Sequence, residues 1–112
     1  MADRNEEKRT EIWRKIVKIE DKEDRLRATK KQYEQQLTNF YSDIQSIHHR
    51  MINLLSLSPS SRQLIEQIIQ RQVNSYVEEE LDTLEKQTKK ACRSFDEARE
   101  ELIAERNRLP WE

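Results

Sequence analysis

Positions 12, 16, 19, 23, 26, 30, 33, 37, 40, 44, 47, 51 and 54 alternate steps of four and three without a slip, and eleven of these thirteen positions are apolar. They read Ile12, Ile16, Ile19, Glu23, Leu26, Lys30, Tyr33, Leu37, Phe40, Ile44, Ile47, Met51 and Leu54, so Glu23 and Lys30 alone interrupt the stripe. One apolar residue every 3.5 positions keeps a single seam turned toward a partner as two helices wind left-handedly around each other. The first half of the chain is therefore expected to lie along another helix. Helix pairing, rather than a pocket, becomes the expected route to function.

Composition excludes most alternatives. The 112 residues include no glycine and two prolines, with 38% charged and 34% hydrophobic side chains. Ordinary globular domains are about 45–50% apolar and use glycine for turns and left-handed caps, so this chain belongs with long helices and coiled coils in a single all-α domain. Its 21 basic and 22 acidic side chains leave a net charge of −1, which gives no electrostatic pull toward nucleic acid or an anionic membrane. The basic run Arg25, Arg27, Lys30 and Lys31 is offset by neighbouring acids. Cys92 is the single cysteine and cannot form an internal disulfide, so nothing requires an oxidising compartment. The opening residues Met-Ala-Asp-Arg-Asn-Glu-Glu-Lys lack the apolar core of a secretory signal. No apolar run approaches the roughly 18 residues of a membrane span. A cytoplasmic location is expected, and any export would proceed without a cleaved signal.

One break divides the chain, at Ser58-Pro59-Ser60-Ser61. Proline pushes the preceding residue to extended conformations, so a helix of about 5–57 should end there. Ser58 with Pro59 forms an N-cap and first-turn pair, and Ser60 with Gln63 an alternative capping box, so a second helix of about 61–109 starts at once. Asp3 with Glu6 is a candidate cap for the first helix, and Pro110 closes the second. A short link between equal helices implies an antiparallel hairpin. Folding about the turn pairs positions whose numbers total roughly 119, which sets Leu84 between Tyr33 and Leu37, Phe95 beside Glu23 and Leu26, and Leu102 beside Ile16 and Ile19.

The second stripe runs through Ile65, Ile69, Val73, Val77, Leu81, Leu84, Thr88, Ala91, Phe95, Ala98 and Leu102. Its successive steps of four near the turn drift the opposite way from a heptad, so a nearly straight pairing is expected there. Ala28 against Ala91, near Lys30, Thr88 and Cys92, forms a small and partly polar waist that suits close approach or a register device.

More apolar surface is present than one seam can cover. Tyr41, Ile52, Leu55 and Leu57 on the first helix, with Leu64, Ile68 and Tyr76 on the second, widen the turn-proximal face beyond that of a two-helix hairpin. That half is expected to pack into a larger bundle, with Ile44 and Ile68 central to the contact. Trp13 and Trp111 mark the open end, either as caps on the hairpin or as contact anchors.

Catalytic chemistry finds no support. His48 and His49 are adjacent, point about 100° apart on a helix and cannot chelate one ion together, so both are expected at the surface. Cys92 has no histidine nearby in sequence and reads as a small, buried side chain. The carboxylates alternate with lysine and arginine at helical spacing, the pattern of a solvated face. A chain without glycine has no glycine-rich phosphate loop. No catalytic residue, metal site or cofactor is expected.

A small glycine-free hairpin that opens on a charged helix and closes on the charged segment Glu97-Ala-Arg-Glu-Glu-Leu-Ile-Ala-Glu-Arg-Asn-Arg-Leu109 resembles the helical accessory proteins encoded beside LXG toxins of Gram-positive bacteria. The likeness covers nearly the whole chain and rests on architecture and charge pattern. Members of that class are similar to WXG-family hairpins, bind the helical LXG domain of a toxin and present it to the type VII secretion system. The resemblance thus implies a non-enzymatic targeting factor whose partners are a toxin LXG domain and, in some assemblies, a second small helical protein. Tyr76-Val-Glu-Glu-Glu80 matches the Tyr-x-x-x-Asp/Glu export signal of type VII substrates, but Tyr76 lies inside the second helix and continues the apolar face with Val73 and Val77, which favours a core or interface tyrosine. Ser58-Pro59-Ser60-Ser61 stands where a WXG protein has its Trp-x-Gly turn, so the chain departs from the classical WXG pattern, which leaves the accessory class open. The alternative is a structural coiled coil, such as a secretion-apparatus stalk or a self-assembling spacer, in which the extra apolar face makes a homodimer or filament.

Overall fold

The computed structural model describes residues 5–110 and contains two helices, α1 (Glu6–Leu55) and α2 (Pro59–Arg108), each of 50 residues. There is no strand among the described residues, and the chain is an all-α helical hairpin. Asp3, a candidate cap, and Trp111, a candidate contact residue, lie outside the described residues.

Each helix boundary has a local cause. α1 stops at Leu55 because Ser56 takes up a left-handed conformation, with φ of 48°. In a chain without glycine, a serine has to fill this role at some steric cost. α2 then starts at Pro59, two residues earlier than the alternative cap would place it. The Ser58 carbonyl accepts from the Arg62 amide at 2.9 Å, and the Ser58 hydroxyl accepts from the Ser61 amide at 3.3 Å. Ser58 is therefore the N-cap and Pro59 the first helical residue, where a missing N–H costs nothing. Ser60 is not the cap. At the start of α1 it is the Asn5 carbonyl that receives the first helical amide, from Arg9 at 2.9 Å.

Backbone contacts divide the chain into two compact units, Met1–Thr29 with Lys86–Glu112, and Lys30–Glu85. They are called here the terminal unit and the linker unit, and both helices contribute to each.

In the terminal unit the expected stripe is kept. Ile12 and Ile16 are buried, Ile19 and Leu26 are half-buried, and Phe95, Ala98 and Leu102 are half-buried on α2. The two chain ends are tied together: Asn5 Nδ2 and Arg9 Nη2 each donate to the Pro110 carbonyl at 2.8 Å. Carbonyls at a helix C-terminus have no partner within their own helix, so a guanidinium there satisfies them and complements the helix dipole. Glu23, one of the two breaks in the stripe, is buried. It accepts from Arg99 of α2 and, at 3.0 Å, from Arg27 one turn along α1. The Glu23 hydrogen bond raises the Arg99 pKa above its ordinary value, against the lowering effect of burial, and charges on Glu23, Asp96 and Glu20 add to the rise. Thr88 is buried, but Ala28 is exposed, so the Ala28–Ala91 waist does not form.

In the linker unit the buried positions of α1 leave the heptad. Leu37 is buried, Tyr41, Ile44 and His48 are half-buried, and Ile52 is the most buried side chain at 2% exposure. These residues follow one another in steps of four, three, four and four. The cause lies in α2, whose half-buried Ile65, Ile69, Val73 and Val77 step by four. Such a stripe drifts around α2 in the sense opposite to a heptad stripe and so runs out of phase with a left-handed supercoil, and α1 presents matching positions instead of its heptad. The pairing moves accordingly. The Tyr33 hydroxyl donates to Glu80 at 2.7 Å, one turn nearer the linker than the expected Leu84. Lys30, the second break in the stripe, donates to Glu85 at 2.7 Å and lies 3.7 Å from Glu34. Leu81, expected in the stripe, is exposed.

Candidate functional site

The shift in the linker unit leaves the C-terminal part of the heptad stripe without a partner. Phe40, Ile47, Met51 and Leu54, all assigned to the seam on spacing alone, are exposed, and Leu54 reaches 84%. At about 100° per residue these four fall within roughly 60° of one another around α1, so they form one strip. On α2, Leu64, Ile68 and Tyr76 are exposed as well. The Phe40 and Tyr76 rings meet at 5.5 Å between centroids with planes tilted by 57°, which joins the α1 strip to the flank of α2 that carries Tyr76 and Ile68. A tilted aromatic pair of this kind fixes both rings at a modest gain in energy. The result is a continuous apolar face on the linker unit.

Several expected contact residues lie on this face, and others do not. Leu55, Leu64, Ile68 and Tyr76 are exposed. Ile44 is half-buried at its edge, whereas half-buried Tyr41 lies about 100° around α1 from Phe40 and lines a cleft with Gln45, His48 and Gln70. Ile52 belongs to the core, which corrects its assignment as surface. In the terminal unit, Trp13 stands 59% exposed, away from the buried Ile12 and Ile16. Phe40, Ile47, Met51 and Leu54 were missed because their heptad spacing is regular, and regular spacing reads as seam. The available signal was the four-residue step of the opposite stripe.

Tyr76 and Glu80, the two residues of the Tyr-x-x-x-Asp/Glu match, each make a contact with α1. Tyr76 meets Phe40 in the tilted ring pair, while half-buried Glu80 accepts from the Tyr33 hydroxyl. That hydrogen bond, with burial and the Glu80 charge, pushes the Tyr33 pKa above its ordinary value. Lys30 is likewise raised, first by its hydrogen bond to Glu85 and then, against the opposing effect of burial, by the charges of Glu85 and Glu34.

Charge is distributed unevenly along the sequence. Residues 35–77 carry five charged side chains, Asp43, Arg50, Arg62, Glu66 and Arg71, out of 21 basic and 22 acidic in the whole chain. Glutamine, asparagine and serine replace them, among them Gln36, Asn39, Gln72 and Ser75 beside the apolar strip. Depletion of charge around an apolar centre is the compositional mark of an interface core.

A cleft of about 130 Å³ in the linker unit is lined by Tyr41, Ile44, Gln45, His48, His49, Glu66, Ile69, Gln70 and Val73. It falls below the roughly 300 Å³ at which small-molecule sites begin. His48 turns out half-buried there, with Nε2 enclosed, whereas His49 is exposed as expected. Among the described residues, no group of three or more His, Cys, Asp or Glu side chains could hold a metal ion. No helix among them is long and apolar enough to cross a membrane.

Comparison with family models, curated proteins and solved structures finds no match.

Proposed function

We propose that this chain is a non-enzymatic helical adaptor that binds a helical protein partner through the linker-unit face. The observation that carries the reading is the exposed heptad strip Phe40, Ile47, Met51 and Leu54, flanked by Ile68 and Tyr76 in a segment nearly free of charge. A strip with that spacing accepts another helix side by side, each covering the other's apolar side chains at roughly 25 cal/mol per Å² removed from water. The partner class we propose, from the resemblance to LXG-associated accessory proteins, is the helical LXG domain of a type VII secreted toxin. The adaptor would hold that domain, alone or with a second small helical protein, in the form taken up for export. A structural coiled coil that only self-associates is the competing use of the same face.

Co-expression of the chain with the products of its neighbouring genes, followed by size-exclusion chromatography with light scattering, separates the two. A defined heteromeric complex that is lost on Met51→Asp with Ile68→Asp supports the adaptor. A homo-oligomer that takes up none of the neighbouring products replaces it with the structural coiled coil.

A further inference from the structure

We infer that, in the absence of another partner, the linker-unit face is covered by a second copy of this chain, forming a two-fold dimer with a four-helix core. The inference uses the same face as the adaptor reading but does not depend on that reading being correct.

Area is the first argument. Phe40, Ile47, Met51, Leu54, Ile68 and Tyr76 are each between 40% and 84% exposed. Together they present on the order of 600 Å² of apolar surface, at the upper limit of the largest patch on a typical monomer. With the rim of Gln36, Asn39, Gln72 and Ser75, which Asp43 and Arg50 interrupt, the face approaches the roughly 800 Å² per partner of a standard stable interface. Length is no obstacle, since the strip runs about four turns along α1, and a second copy offers the same four turns.

Charge is the second argument. A two-fold interface sets each patch against itself, so any concentration of one sign meets its own kind. The segment 35–77 has three basic and two acidic side chains, close to neutral, and the charges three or four positions from the strip are of opposite sign: Asp43 beside Phe40 and Ile47, Arg50 beside Ile47 and Leu54. Self-pairing therefore brings little like charge together. The α1 strip also has the geometry for it. Steps of seven, four and three between Phe40, Ile47, Met51 and Leu54 keep an a/d pattern, and such a pattern packs on an antiparallel copy of itself by knobs into holes.

The test is light scattering coupled to size exclusion on the purified full chain across a dilution series from about 1 to 300 µM, a range that brackets a micromolar dissociation constant. The expected result is a mass of twice 13.6 kDa at the upper end, falling toward 13.6 kDa on dilution. Leu54→Glu and Met51→Glu replace exposed side chains, so helix content by circular dichroism should be unchanged while the dimer weakens at least about tenfold. Leu81→Glu is the matched control. Leu81 is an exposed leucine of the same unit, about 140° around α2 from Tyr76, and this variant should dimerise like the parent. A monomeric parent at 300 µM, or a dimer weakened equally by Leu81→Glu, overturns the inference. A monomer that still captures a neighbouring gene product would leave the adaptor reading standing. A dimer that captures none would do the reverse.

Discussion

Glu23 shows how an apparent flaw in a pattern can act as a constraint. A carboxylate in an apolar stripe should be expelled to water, because burying it unpaired costs more than any helix contact returns. It is buried instead because two guanidinium groups reach it, from Arg99 across the hairpin and from Arg27 on the same helix. A polar group at a seam position is tolerated in one register only, since a slip of one turn would separate it from Arg99, its partner across the hairpin. Glu23→Gln keeps the shape and removes the charge, turning charge-assisted hydrogen bonds into neutral ones. It should cost about 1–2 kcal/mol in the urea unfolding free energy. A change below about 0.3 kcal/mol would mean that the arginines stay solvated and that Glu23 does not set the register.

At the scale of the helices, the decisive event is the departure of α1 from its heptad after Leu37. Two leucine-like positions then exchange roles. Ile52, off the heptad, is fully buried, and Leu54, on it, is almost fully exposed. Ile52→Ala should destabilise the hairpin by about 2–4 kcal/mol through lost burial and a residual cavity. Leu54→Ala, measured in dilute solution, should stay within about 0.5 kcal/mol of the parent. The opposite order would restore the unbroken heptad seam, and urea midpoints for the two variants decide between them. This pair also marks how far the sequence could be read. Two helices, their lengths, the break and the Ser58-Pro59 cap follow from local chemistry, which acts within a few residues. The seam up to Leu37 follows from spacing, as does the existence of surplus apolar surface near the linker. Which residues make up that surplus depends on how the four-residue steps of Ile65, Ile69, Val73 and Val77 mesh with α1, a relation between two segments that neither stripe contains alone. Spacing alone therefore places the exposed strip in the core and Ile52 at the surface.

For the molecule as a whole, the balance of protons between folded and unfolded states converts these cross-helix ties into a pH dependence. Lys30 and Tyr33 tie α1 to Glu85 and Glu80 of α2, and both have pKa values raised above their ordinary 10.5 and 10.0. A raised value means that the folded chain holds the proton more tightly than the unfolded chain does. Their contribution to stability is therefore complete below the ordinary values and is lost as pH rises through the higher folded ones. Through neutral pH the two groups add no slope. Above about pH 10 they make the unfolding free energy fall, as the ammonium loses the charge that pairs with Glu85 and the phenol loses the proton it donates to Glu80. General deprotonation of the other lysines acts in the same range, so the informative quantity is a difference. Urea midpoints measured from about pH 7 to 11.5 on the parent and on Lys30→Met with Tyr33→Phe should converge as pH rises, because the variant has already lost what the parent loses. Parallel curves would show that these two contacts do not stabilise the folded chain, and that the linker unit takes its register from apolar packing alone.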